Sequence, residues 1–124
     1  IVEALSDRSR AQVESMRQAF ARRAALVNGL VAAVPRFRAV RSTGAFYSFP
    51  SIVPCKGLKS PGGRTITDGQ SYAEALLAEA HVAVVPGGDF GECAADHVRI
   101  TFASDDATLR KGLERIAGFT GSLR

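Results

Sequence analysis

Tryptophan is absent from this sequence of 124 residues, and cysteine, histidine and lysine occur only two, two and three times. Two cysteines cannot form the disulfide framework of a small secreted domain, so we expect a reducing, cytoplasmic setting. No apolar run approaches the roughly 20 residues that span a bilayer, which predicts no membrane segment. The first residues, Ile1 to Leu5, lack the basic and apolar regions of a signal peptide.

What the sequence does contain is typical of a folded chain. Apolar residues make up 46% and charged residues 23%, which argues against disorder. The length predicts a single domain over residues 1–124 that needs neither disulfides nor metals for its core. The net charge of +4 is uneven, because residues 1–41 hold eight arginines against three acids.

The basic segment coincides with a predicted long amphipathic helix. Its apolar stripe has helical spacing and consists of Val13, Met16, Phe20, Ala24, Val27, Val31 and Val34. Ser9 with Gln12 predicts a capping box at its start, and Pro35 ends it. Its arginines fit a solvated face, an interface with another domain, or a surface that neutralises nucleic-acid phosphates.

Four strands and two further helices are predicted downstream. The strands cover residues 38–41, 45–49, 81–85 and 97–103, and the glycine-rich turn 86–91 follows the third of them. Thr67 with Gln70 caps the second helix, and Ser104 caps the last one, which ends at Gly118. This order predicts an α+β fold, a two-layer sandwich in which helices pack on one face of a small mixed or antiparallel sheet.

Several chemistries that these residues allow are weakly supported. Cys55, His81, Cys93 and His97 lack the paired short spacing of metal ligands, so we expect no metal site. A Cys93–His97 nucleophile would need an orienting third group that the sequence does not supply. The turn 86–91 leads to a strand rather than to the helix that a phosphate loop requires.

Arg99 is the most informative single residue. It lies in the middle of the last strand, opposite Val98, Ile100 and Phe102, on the other face of the sheet. A guanidinium there needs a partner. Either it forms a structural ion pair with Asp89, Glu92 or Asp96, or its planar fork binds the carboxylate of a ligand.

Five segments together resemble a known family. They are GAFYSFP at 44–50, LLAEAHVAVVPG at 76–87, FG at 90–91, VRITFA at 98–103 and the last helix from Leu109 to Ile116. In this order and spacing they resemble the C-terminal small domain of class I/II aminotransferases, the aspartate-aminotransferase-like, fold-type-I enzymes that use pyridoxal phosphate. The resemblance covers about residues 1–120.

The resemblance implies a role for two residues. Arg99 would bind the α-carboxylate of an amino-acid or 2-oxo-acid substrate, and Phe46 would line the substrate pocket. It also implies that pyridoxal phosphate, its Schiff-base lysine and the remaining catalytic groups belong to a large domain outside this chain. We therefore expect no catalytic or cofactor-binding residue here, and no activity from the chain alone. The full enzyme would be a homodimer with no nucleic-acid or membrane partner.

Two other readings remain open. The same domain occurs in other fold-type-I enzymes and in aminotransferase-like transcription regulators, which the sequence preceding this domain would distinguish. A free-standing nucleic-acid-binding or protein-binding module built on the basic helix is the third reading, and it predicts DNA binding with a steep salt dependence.

Overall fold

A computed structural model describes residues 7–124. They form three α-helices and three short strands: α1 (Asp7–Ala32), β1 (Tyr47–Ser48), α2 (Gly69–Ala80), β2 (Val85–Pro86), β3 (Val98–Thr101) and α3 (Asp106–Ser122). Short 3-10 turns at Val53–Cys55, Gly87–Phe90 and Glu92–Ala94 complete the described elements. The prediction about a signal peptide concerns Ile1 to Leu5, which lie outside the described residues.

The strands form one antiparallel sheet in which β3 lies between β1 and β2. Tyr47 pairs with Thr101 and Ser48 with Ile100 on one side of β3, and Val85 pairs with Arg99 on the other. The α+β fold with a small antiparallel sheet is therefore confirmed. No helix within residues 7–124 is long and apolar enough to cross a membrane.

The core lies between the helices and one face of the sheet. The alternating residues Val98, Ile100 and Phe102 of the β3 segment are buried, as predicted. All three helices supply partners, which are Val27 and Val31 from α1, Tyr72, Ala75 and Leu76 from α2, and Leu109, Leu113, Ile116 and Phe119 from α3. Burying a large apolar side chain contributes roughly 1.5–3 kcal/mol, so this layer accounts for much of the stability.

Five of the seven residues of the predicted stripe on α1 lie in this core or pack against it, Phe20 and Ala24 being only partly buried. Val27, Val31 and Val34 are buried, whereas Val13 and Met16 are 49% and 55% exposed. The predicted helix is confirmed, but its stripe is covered only from Phe20 onward. The predicted capping box at Ser9 is wrong, since the helix already includes Asp7.

The N-caps of α2 and α3 lie one residue beyond their predicted positions. Asp68, not Thr67, caps α2 by accepting a hydrogen bond from the Ser71 backbone N–H at 2.8 Å, and the Ser71 hydroxyl completes the capping box. Asp105, not Ser104, caps α3. The hydrogen bonds to helix-terminal N–H groups lower the pKa of both carboxyl groups.

The predicted end of α3 at Gly118 is wrong, because the helix continues to Ser122. Phe119 and Thr120 follow Gly118 and are buried. A glycine inside a helix costs about 1 kcal/mol relative to alanine. The burial of Phe119 and its neighbours outweighs that cost.

Most predicted strands are shorter than their patterns. Residues 38–41 contribute only a bridge from Arg38 to Ser51, so the predicted first strand is wrong. In 81–85 only Val85 joins the sheet, because His81 adopts a left-handed conformation (φ 54°) that ends α2. A β-rich pattern gives a strand only where a neighbouring strand supplies hydrogen-bond partners.

Candidate functional site

The central strand presents Arg99 on the face of the sheet opposite the core. Its neighbours Val98 and Ile100 are buried beneath it, so the period of two directs the Arg99 side chain to the other side. Val85 lies directly opposite Arg99 on β2, and Arg99 is half-buried. The predicted placement of Arg99 at the centre of the open sheet face therefore agrees with the structure.

Two aromatic rings lie against the Arg99 guanidinium. Its central carbon is 5.2 Å from the centroid of the Tyr47 ring and 4.6 Å from that of the Phe90 ring. Both distances are within the about 6 Å at which a cation is attracted to the face of an aromatic ring. Neither residue was predicted from the sequence as a neighbour of Arg99. Tyr47 pairs with Thr101, two residues from Arg99 on the same face, and the sequence pattern does not specify this register.

Within the described residues no carboxylate lies within ion-pair distance of Arg99. Of the three acids considered as its structural partners, Asp96 instead pairs with Lys56, whose Nζ is 2.8 Å from each Asp96 carboxylate oxygen. Asp89 and Glu92 form no ion pair within residues 9–124. The structural ion pair is therefore not formed here, and the donors of the guanidinium can bind a ligand.

The turn after β2 gives Phe90 its position. Gly87 donates its backbone N–H to the His97 carbonyl oxygen at 2.8 Å, which fastens the turn to β3. A side chain at Gly87 would overlap the carbonyl oxygen of Ala94, so only glycine fits there. The Phe90 ring then stands edge-on to the Phe49 ring at 5.8 Å. Gly87 thus allows the backbone of the turn to pack closely against the segment 94–97.

Phe46, the second predicted substrate-binding residue, lies one ring away from Arg99. Its ring contacts Tyr47 edge-on at 5.3 Å and Phe20 of α1 at 5.9 Å, and the residue is 47% exposed. The structure therefore brings Tyr47 onto the guanidinium, with Phe46 behind it. The exposed ring extends the aromatic surface from Arg99 toward α1.

The cysteines and histidines do not assemble into a site. No group of three histidine, cysteine or acidic side chains comes together among the described residues in a way that could hold a metal ion. Cys93 is exposed, whereas Cys55 is buried and its pKa is raised to about 11 by desolvation. His97 stacks on Phe49 at 5.1 Å, and its Nδ1 is buried without a hydrogen-bond partner.

The surroundings of the three lysines bear on pyridoxal phosphate. A lysine that forms a Schiff base is activated in a desolvated pocket or beside another cation. Lys56 instead forms the ion pair with Asp96, and Lys59 and Lys111 are exposed. None of the three lysines therefore has the surroundings of the lysine that holds pyridoxal phosphate as a Schiff base.

A groove runs along the first half of α1. It has a volume of about 770 Å³ and lies between Val13, Met16 and Phe20 on the helix and the segment 41–45. Two arginines of α1 have acidic neighbours, because Arg17 binds Glu14 at 2.7 Å and Arg23 lies 3.8 Å from Asp106. The Arg17 guanidinium, followed by the Gln18 amide, lowers the pKa of Glu14 to about 2.

The fold and the open face define an α+β module in which Arg99, flanked by two rings, is available to an anion. Comparison with known proteins gives the family. The model for aminotransferase class I and II matches residues 1–116, so the chain belongs to this family. The resemblance to class I/II aminotransferases found in the sequence is thereby confirmed.

Individual relatives agree with this assignment. The chain is 41% identical over 123 residues to an aspartate/prephenate aminotransferase of Thermus thermophilus. This alignment covers 97% of the chain and 28% of that protein. It is 40% identical over 107 residues to an asparagine–oxo-acid transaminase of Streptococcus mutans, which covers 86% of the chain and 25% of that protein. The chain thus spans about a quarter of the length of these curated relatives.

Solved structures give the same fold. The crystal structure of the aspartate aminotransferase from Rhizobium meliloti superposes with a TM-score of 0.83 at 34% identity, over 90% of this chain and 27% of that one. A double mutant of the Thermus thermophilus aspartate aminotransferase superposes with a TM-score of 0.76 at 42% identity, over 94% of this chain and 28% of that one.

Proposed function

We propose that this chain is the C-terminal small domain of an amino-acid aminotransferase and that Arg99 binds the α-carboxylate of the substrate. The observation that carries the proposal is the Arg99 guanidinium, which lies at the centre of the open sheet face with two rings beside it and no carboxylate partner among residues 9–124. A planar guanidinium donates two parallel hydrogen bonds to a carboxylate, which fixes both the position and the orientation of the bound molecule.

The reaction of the full enzyme would transfer an amino group between an amino acid and a 2-oxo acid. Both substrates carry a carboxylate next to the reacting carbon, so one arginine serves both half-reactions. Holding that carboxylate orients the bonds at the reacting carbon, which lowers the entropic part of the barrier. The exposed Phe46 ring would form an apolar wall of the same pocket.

The remaining parts of the enzyme would come from outside this chain. Pyridoxal phosphate supplies the electron sink of the reaction when bound, and we propose that a large domain holds it. The exposed apolar groove on α1 supports a domain interface, because Val13 and Met16 leave apolar surface uncovered. The isolated chain would accordingly be inactive. A homodimer in the cytoplasm is the expected form of the whole enzyme, and the two unpaired cysteines are compatible with that compartment.

The relatives named above are aminotransferases, which is why an enzyme is proposed rather than a transcription regulator. Neutralisation of Arg17 and Arg23 by nearby acids likewise gives no support to a nucleic-acid-binding module.

The decisive experiment replaces Arg99 by glutamine in the full-length enzyme. Losing the charged hydrogen bonds to the carboxylate costs roughly 3 kcal/mol, so kcat/KM should fall by more than about a hundredfold. Arg110→Gln is the matched control, because Arg110 is exposed on α3, away from the open sheet face. An unchanged kcat/KM for Arg99→Gln would refute the role of Arg99.

A further inference from the structure

Tyr47 and Phe90 are aromatic residues whose location the core does not explain. They are 38% and 48% exposed, which is unusual for rings on a face where an arginine could simply be solvated. Both instead contact the guanidinium of Arg99. What the two rings share is therefore contact with the Arg99 guanidinium and not packing in the apolar core.

The two rings approach Arg99 from opposite sides of its strand. Tyr47 belongs to β1, and Phe90 belongs to the turn that follows β2, while β3 lies between those two strands. Each ring is itself held by a further ring. Phe46 stands edge-on to Tyr47 at 5.3 Å with an interplanar angle of 80°, and Phe49 stands edge-on to Phe90 at 5.8 Å and 88°.

Ring contacts leave the donors of a guanidinium free. The attraction acts between the cation and the face of the ring, whereas the N–H groups project within the guanidinium plane. A mobile arginine side chain has about 2 kcal/mol of rotamer entropy to lose when it binds. Rings that already restrict the side chain reduce that loss, and the affinity for the ligand rises accordingly.

We propose that Tyr47 and Phe90 are positioning residues that hold the Arg99 guanidinium with its paired N–H donors available to the substrate carboxylate. This inference rests on the proposed function. It assigns the selectivity for carboxylate-bearing substrates to Arg99 on the central strand together with one ring from β1 and one from the turn after β2.

The experiment measures carboxylate affinity in the full-length enzyme. The variants are Tyr47→Leu and Phe90→Leu, which remove the rings, Phe90→Tyr, which keeps one, and Arg99→Gln. The probe is a dicarboxylate without an amino group, whose competitive inhibition constant reports binding alone, together with KM and kcat for the amino-acid substrate. Phe37→Leu is the matched control, because the Phe37 ring contacts Tyr72 on the core side.

We expect each leucine variant to raise the inhibition constant and KM by about 3- to 30-fold, the range of one cation–ring contact, with a smaller change in kcat. Phe90→Tyr should retain the wild-type constants, and Phe37→Leu should change neither constant. A purely structural role would lower the melting temperature without this selective loss of carboxylate affinity, and that result would overturn the inference.

The outcomes also separate this inference from the proposed function. If Arg99→Gln loses activity while both leucine variants keep the wild-type inhibition constant, the positioning role is wrong and the proposed function stands. If Arg99→Gln itself keeps full activity, the proposed function fails and this inference fails with it. Equal losses in Phe90→Leu and Phe90→Tyr would also overturn the positioning role, since the second variant retains a ring.

Discussion

Replacing Thr120 by valine is expected to destabilise the fold more than replacing Thr120 and Tyr72 together. Both side chains are fully buried, and their hydroxyl oxygens are 2.7 Å apart. The Thr120 hydroxyl also donates to the Ile116 carbonyl oxygen at 2.6 Å. Because a threonine has one hydroxyl proton, Tyr72 must be the donor in the bond between them. Burial is also the main cause that raises the pKa of Tyr72, so the phenol stays protonated and can donate.

The magnitudes follow from this assignment. Thr120→Val has nearly the same shape but leaves the Tyr72 O–H buried without an acceptor, which costs about 1–3 kcal/mol. Tyr72→Phe removes the donor and loses one ordinary hydrogen bond, about 1 kcal/mol. In the double variant no buried donor is left unpaired, so its loss should be smaller than that of Thr120→Val alone.

Urea denaturation of the four proteins, followed by circular dichroism, measures these differences as a double-mutant cycle. The carbonyl of Thr120, which accepts from Arg36 at 2.8 Å, is unchanged in every variant. A double variant that loses the sum of the two single effects would refute the donor assignment, because it would show that the two hydroxyl groups are not coupled.

Two further predictions concern the cap of α2 and the thiols. Asp68→Ala should lower the free energy of unfolding by about 1 kcal/mol at neutral pH. The pKa of Asp68 is lowered in the folded chain, so the difference in free energy of unfolding between the parent chain and the variant depends on pH. It should be complete above the unfolded pKa of about 4 and vanish as the pH falls through the folded pKa. Urea titrations at pH 7 and pH 2.5 would test this. A difference that is the same at both pH values would contradict this. Cys93 is exposed and should react rapidly with a thiol reagent at pH 8. Cys55 is buried and its pKa is raised to about 11, so it should react only on unfolding. Rapid loss of two thiols from the folded chain would show that Cys55 is accessible.

The sequence was most informative where burial follows a simple period. The alternation of Val98, Ile100 and Phe102 predicts their burial and places Arg99 on the opposite face, because a strand has only two faces. The helical period of α1 predicts the helix itself but not which turns are covered. Val27 is buried and Val13 is exposed in one and the same stripe, since coverage depends on tertiary neighbours.

Local sequence patterns do not determine the exact N-cap residues or the ring contacts around Arg99. Thr67 precedes Asp68, and Ser104 precedes Asp105, so two good capping residues stand next to each other at each helix start. The rings around Arg99 come from residues 9 and 52 positions away along the chain. Such contacts depend on strand order and register, which periodicity does not specify.

The strand order also determines when the sheet can form during synthesis on the ribosome. β1 and β2 each pair only with β3 among the described strands, yet β3 is made after both of them. Synthesis proceeds at about 5–20 residues per second, so β1 waits several seconds without a partner. Because pairing over such separations is slow, the sheet is expected to form in one late step, after the residues of β3 emerge. A nascent chain halted before the residues of β3 emerge would therefore leave the Tyr47 strand without its pairing partner and exposed to other proteins.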